Sequence, residues 1–458
     1  MILPIDEPAL TKNPMKYVAL DEKRKRIYVI VSIALLFWAA AILFLSLVVV
    51  NLNSYWFSYY VVDYSLGFVR RGLGGELIDL FPADEYFVAM QIVRWAATAV
   101  FLVSLTALSW LILNRGGRSE RRIMLALLVP VLPFGLAFAF YSARPDLFGA
   151  AALVAFVIAM SFVRSPRYAV LWSGFHGVVI AVLGLLHEAI TLEFSLGAIL
   201  AILVLAQNLT PAVQRLSIVF AIGPGLVTAL AVAVLGRHGF GAQMCAKVPH
   251  RYIDDLQMKN SVAGFVDFFF LGRKHQTDYH EWICRNITPL YDYDVRHAIA
   301  VVASVGVGLL LISLVFGIAI IALTVYLVGH FSGVSVTEFR TTLYGRMHWL
   351  ALGLVLVIPV FVTAHDWVRW CVLIAFNIAI VQLLYATASP RLAARPTARD
   401  VRAFVWVVAA LALIPVGMVP GFAPPVPTTT SPAWCPATGL PRAEWCHLAA
   451  TAVAATTR

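Results

Sequence analysis

The chain has 458 residues, is 61% hydrophobic and 13% charged, and carries a net charge of +10 with a mean hydropathy of +0.85. A soluble fold cannot hide that much apolar surface, and a nucleic-acid-binding role would need a basic globular patch that is not apparent. The composition predicts an all-α polytopic membrane protein.

In chain order, a basic polar tail (residues 1–26) precedes eleven apolar runs. They are Ile27–Val50, Phe87–Leu113, Ile123–Tyr141, Leu147–Val163, Ala169–Leu186, Ile190–Ala206, Leu216–Leu235, Ala298–Val328, Trp349–Ala364, Cys371–Ala388 and Ala403–Val419. Apolar runs of about 17–25 residues cross the hydrocarbon core as helices. The first run is not a cleavable signal, because a long polar tail precedes it and it exceeds an h-region in length. Very short connections make runs three to six helical hairpins. Ala298–Val328 is unusually long and should tilt or project beyond the bilayer. Seven spans therefore fill 27–236, with a first outer loop at 51–86. A large outer loop (237–297), four more spans (298–420) and an outer tail (421–458) follow.

Orientation follows from Lys and Arg in the connections. With the N-terminus in the cytoplasm, inner connections carry 19 basic residues and outer ones 14, of which 8 lie in the large loop, where the rule has little force. N-in and C-out is the expected arrangement, in a bacterial plasma membrane whose anionic lipids meet the basic inner face. Cys245 and Cys284 then fall in the large outer loop, and Cys435 and Cys446 in the outer tail. Two pairs on an oxidising side predict two disulfides. No CxxC or Cys/His spacing marks a metal site.

The charged motifs gather on one face. Asp63, Arg70, Arg71 and Glu76 lie in the first outer loop, in DYSLGFVRRGLGGEL. Arg144 and Asp146 stand between runs three and four, His187 and Glu188 (with Glu193) between five and six, and His365, Asp366 and Arg369 between nine and ten. Bland readings exist for each: Asp146 as a helix cap, HDWVRW as an interfacial belt, Arg94 as a snorkelling side chain. Their joint placement instead suggests a site at the outer surface. A carboxylate there can take a proton from an acceptor hydroxyl, and arginines can grip a phosphate. The glycines of GFVRRGLGG are expected to let the backbone turn tightly and approach a ligand.

This layout resembles the GT-C superfamily of integral-membrane glycosyltransferases. In that superfamily a catalytic acidic residue lies in the first extracytoplasmic loop, and a large outer loop commonly follows the seventh helix. Asp63 and the loop at 237–297 match that arrangement over roughly the first eight spans. The resemblance implies transfer of a sugar from a polyprenyl-phosphate donor to a glycan or lipid acceptor at the outer face. Many members carry a paired acidic motif in the first loop; here Tyr64 follows Asp63, and Glu76 and Asp79 come later. The base is therefore open between Asp63 and Glu76, and the resemblance makes a divalent metal no more than an option. Bacterial membrane proteins are also similar around GFVRRGL and DWVRW. The rival readings are a transporter or flippase of a lipid-linked precursor, a polymerase or ligase of lipid-linked oligosaccharides, and a non-enzymatic scaffold. The transporter reading expects charges within the spans, but their interiors are nearly free of ionisable groups, with Arg94 and His176 the clearest exceptions.

Overall fold

The computed structural model describes residues 21–49, 54–117, 119–206, 209–254, 276–419 and 421–422. Cys435 and Cys446 lie outside the described residues. The chain is an all-α polytopic membrane protein. Among the described residues, eight helices are long and apolar enough to cross a membrane. Shorter apolar helices stand at Asp146–Phe162, Ile190–Leu205, Val295–Ser304 and Met347–Thr363.

The helices used below are α1 (Glu22–Phe44), α2 (Gly72–Ile78), α3 (Tyr86–Asn114), α4 (Glu120–Leu128), α5 (Leu136–Tyr141), α6 (Asp146–Phe162), α7 (Pro166–Leu186) and α8 (Ser195–Leu205). There follow α9 (Pro211–Leu235), α10 (Gly241–Lys247), α11 (Tyr279–Asn286), α12 (Val295–Ser304), α13 (Val307–Ser332), α14 (Met347–Thr363), α15 (Trp367–Thr387) and α16 (Ala398–Leu413). The third apolar run is broken into α4 and α5 around Pro130, Pro133 and Gly135, because proline has no N–H for the helical ladder. The long eighth run is two helices rather than one tilted span. Gly306, at φ +88°, makes the joint between α12 and α13.

α15 is the centre of the bundle. Its apolar window is 89% buried, against 17% for α1 and 22% for α13 and α16, which leave most of their surface to lipid. Because α15 is enclosed, its polar side chains need partners inside the protein. Asn377 supplies one such link: it accepts from the Gly197 N–H at 2.7 Å and donates to the Glu193 carbonyl at 3.0 Å. Gly197 has to be glycine there, since a Cβ would strike Asn377 and Leu153.

Polar contacts divide the molecule into two ends. At one end, Arg24 pairs with Glu120, Arg121 with Asp400, and Arg391 with Glu338. At the other, Arg71 pairs with Glu188, Arg144 with Asp366, and Lys247 with Asp63. Each of these pairs joins residues that the charge count puts on the same side, so the alternation of eleven spans is consistent with the packing. A second apolar core, separate from that of the bundle, unites the two outer loops through Phe57, Tyr60, Val62, Phe240, Tyr279 and Tyr291. Within the large loop, Tyr252–Asp254 and Gln276–Asp278 pair as two short antiparallel strands.

Candidate functional site

The first outer loop folds back on itself. Asp63 caps the turn at Tyr64–Leu66 by accepting from the Ser65 N–H at 2.8 Å. Glu76, on α2, accepts from the Tyr64 N–H at 2.9 Å. The glycines serve this fold rather than a ligand. A Cβ at Gly74 would stand 2.7 Å from the Tyr59 carbonyl, and one at Gly75 would stand 2.7 Å from the Asp63 nitrogen. Only a helix with bare backbone on that face can lie so close to residues 59–63. Arg71 adopts a left-handed conformation at φ 63°, unusual for a side-chain-bearing residue, and so turns the chain into α2.

Asp63 and Glu76 therefore part company in role. Glu76 is tied to a backbone amide, whereas Asp63 lines a cavity of about 610 Å³ together with Asp79, Tyr60, Tyr86 and Lys247. The Lys247 ammonium, at the end of α10, donates to both Asp63 oxygens at 3.1 and 2.9 Å and also touches Ser65. Burial works against ionisation of Asp63, but the hydrogen bonds from Ser65 and Lys247 outweigh it and hold the carboxyl below its ordinary value. Asp79 moves the other way: partial burial, then the Asp63 and Glu76 charges, push it up. Lys247 was not among the residues singled out from sequence. Nothing local sets it apart from the other seven Lys and Arg residues of the large loop.

Arg70 and Arg71, expected to face a phosphate, are engaged elsewhere. Arg71 donates to Glu188 at 3.4 Å and lies over the Tyr59 ring. Arg70 stands 3.9 Å from Glu188, donates to the Leu290 carbonyl and lies over Tyr291. Burial opposes the Glu188 charge, but Arg71, His187 and Arg70 override it and hold that carboxyl well below its usual range. This pair clamps the first loop and the 187–189 turn to the large loop.

A third group lies beneath Tyr55 and Tyr59, at the outer ends of α6 and α15. Arg144 donates to Asp366 at 2.9 Å with its guanidinium over the Tyr55 ring. Arg369 pairs with Asp146 and also with Asp366, the latter at 3.3 Å. His187 Nδ1 stands 3.5 Å from Asp146. Asp146 thus serves an interhelical ion pair and makes no helix-capping hydrogen bond. Burial and the nearby Arg71 charge lower His187 to about 4, so its ring is neutral at neutral pH. Burial opposes ionisation of Asp366, yet Arg144 and Arg369 keep it strongly acidic. His365 is at the rim, 44% exposed at its side chain and 3.7 Å from Asp366. Glu193 is buried nearby, and neither of its carboxylate oxygens has a hydrogen-bond partner among the described residues.

The two ionisable span residues named from sequence, Arg94 and His176, are both buried. Arg94 does not snorkel: it is fully buried, with its guanidinium 4.1 Å from the centre of the Trp56 ring. His176 is buried and stacked on Phe156 at 4.3 Å. Among the described residues, the three-membered group of His, Cys, Asp and Glu side chains close enough to share an ion is Cys245, His280 and Cys284. No described first-loop carboxylate belongs to it. Cys245 and Cys284 are joined as a disulfide in this structure.

A sequence profile of the family described as uncharacterised membrane protein Rv1490 matches residues 28–412. The chain belongs to this family of membrane proteins. The uncharacterised proteins Rv1490 of Mycobacterium tuberculosis strain H37Rv and Mb1527 of Mycobacterium bovis are each 41% identical to it over 404 residues. That alignment covers 88% of this chain and 93% of each relative. No solved structure matches the chain.

Proposed function

We propose that the chain is a glycosyltransferase of the outer face of a bacterial plasma membrane, moving a sugar from a polyprenyl-phosphate donor to an envelope glycan or lipid acceptor. The observation that supports this reading is the pairing of Asp63 with Lys247 on the wall of one cavity. A glycosyl transfer of this kind needs a carboxylate that is ionised and a cation that can receive a leaving phosphate. In the proposed reaction, Asp63 takes the proton from the acceptor hydroxyl as its oxygen attacks the anomeric carbon. The bond from that carbon to the phosphate oxygen breaks, and the released prenyl phosphate carries its new charge to Lys247. Tyr86 offers a ring face for the sugar. The Arg70–Arg71–Glu188 and Arg144–Asp146–Asp366–Arg369 groups hold the loops that form the cavity and act as positioning residues.

A photoreactive prenyl-phosphate sugar tests where the donor sits. Cross-links are expected on the segments carrying Asp79–Tyr86 and Lys247–Pro249, and the natural donor should suppress them. Cross-links confined to α6, α8 and α15 would overturn the assignment. They would favour the second reading, a transporter of a lipid-linked precursor. One observation does favour it: Asp146 and Arg369 are buried in the first turns of α6 and α15, and Glu193 is buried just before α8.

A further inference from the structure

α10 carries both Cys245 and Lys247, so whatever anchors Cys245 also sets the cation beside Asp63. The anchor is Cys284 on α11, and a third side chain completes the group. His280, one helical turn before Cys284, has its Nε2 3.8 Å from the Cys245 sulfur and 3.6 Å from the Cys284 sulfur. All three potential ligand atoms lie within 4.8 Å of one another.

The histidine is set up as a ligand. Its Nδ1 is 2.7 Å from the Val248 carbonyl, which can only accept, so in the neutral ring Nδ1 carries the proton and the Nε2 lone pair faces the sulfurs. A ligating histidine is commonly held this way, its far nitrogen donating to a backbone carbonyl. A second ring fixes the first: His250 stacks on His280 at 3.8 Å and is itself 2.8 Å from Asp278. Neither the disulfide nor any other described donor uses the Nε2 lone pair. The three residues are half-buried, so a small reductant and an ion can both reach them.

We propose that Cys245, His280 and Cys284 form a redox-gated zinc site that clips α10 to α11. In the oxidised form the clip is the disulfide. A dithiol reductant supplies two electrons and two protons, becoming a disulfide itself and leaving two thiols. Zinc(II) then displaces the two thiol protons and binds two thiolates and the His280 Nε2, a borderline-soft donor set that suits it, with water at the fourth position. The His280 lone pair thus gains the acceptor that the oxidised form lacks, and α10 stays attached in either state. This inference stands apart from the proposed transfer reaction, since its readout is metal binding.

The test uses the full chain in detergent, with Cys435→Ser and Cys446→Ser removing the tail thiols. Cobalt(II) serves as a spectroscopic probe and zinc(II) as its competitor. After reduction, one equivalent of cobalt should bind with an intense sulfur-to-cobalt charge-transfer band, which zinc abolishes; the oxidised chain should show none. His280→Ala keeps both cysteines and the disulfide but should weaken zinc binding at least tenfold. Cys284→Ser should abolish the band. A reduced chain that gives no band, or a His280→Ala variant that binds zinc as tightly as the parent, would overturn the proposal.

Discussion

Lys247 and Asp63 lie 184 positions apart in the chain, yet their ammonium and carboxylate meet at 2.9 Å on the wall of one cavity. The first loop supplies the acid and the large loop the cation, and the apolar core shared by the two loops brings them together. If the cation receives phosphate, its charge matters more than its hydrogen-bond geometry. Lys247→Arg should then keep much of the activity, whereas Lys247→Met should lower rate and donor affinity together. Steady-state kinetics decides. A Met variant with unchanged kcat/KM would remove Lys247 from the reaction.

The pair Arg144–Asp366 predicts a stability effect. Both side chains are mostly buried and the guanidinium is held at 2.9 Å. Removing one partner leaves an uncompensated buried charge, which costs about 3–5 kcal/mol. Asp366→Asn should lower the thermal midpoint of the purified protein clearly more than His365→Gln, because His365 is half-exposed at the rim. Equal midpoints would show that the pair is dispensable.

His187 and Glu188 predict how stability depends on pH. Burial and Arg71 lower His187 from its ordinary 6.5 to about 4, and Arg71 and Arg70 hold Glu188 low against burial. In both cases the folded value lies below the unfolded one, so the unfolded chain binds more protons in acid. The stabilisation is therefore complete above about pH 6.5. It falls first across the His187 window down to about 4, and then further as Glu188 is protonated. The thermal midpoint should drop between pH 7 and pH 5, and His187→Gln should flatten that drop. A wild-type midpoint constant over this range would contradict the neutral, buried imidazole.

Membrane orientation is checked by labelling. In a background lacking Cys435 and Cys446, single cysteines replace Gly117 and the exposed Val295. An impermeant thiol reagent on intact cells should label only Val295→Cys. Labelling of Gly117→Cys alone would invert the orientation and move Asp63 to the cytoplasm.

Hydropathy made the spans legible, because exclusion of charge from lipid acts on each segment locally. Trp349–Ala364 and the observed Met347–Thr363 differ by one or two residues at each end. The joint at Gly306 was not legible, since apolar residues continue through it and only the backbone shows a positive φ. The charges of the first loop and the short connections were visible as a set, but their pairing was not. In the sequence Arg144 stands two positions from Asp146, and Arg369 three positions from Asp366. In the fold Arg144 reaches Asp366, Arg369 reaches Asp146 as well, and Arg71 reaches Glu188. Those contacts depend on which helices are neighbours, and no local pattern encodes that. Lys247 was missed for the same reason.

The most direct measurement is sugar transfer by the purified chain from a polyprenyl-phosphate donor, comparing the parent protein with Asp63→Asn. Asparagine keeps the size and most hydrogen bonds of Asp63 but cannot take the acceptor's proton. Glu76→Gln serves as the control, because Glu76 accepts from the Tyr64 amide and does not line the cavity beside Asp63. The account predicts that the parent transfers sugar, that Asp63→Asn is slower by roughly 10²–10⁴ while still folded, and that Glu76→Gln stays close to the parent. Full transfer by Asp63→Asn, or a parent protein that moves the lipid-linked sugar across the bilayer without transferring it, would contradict it.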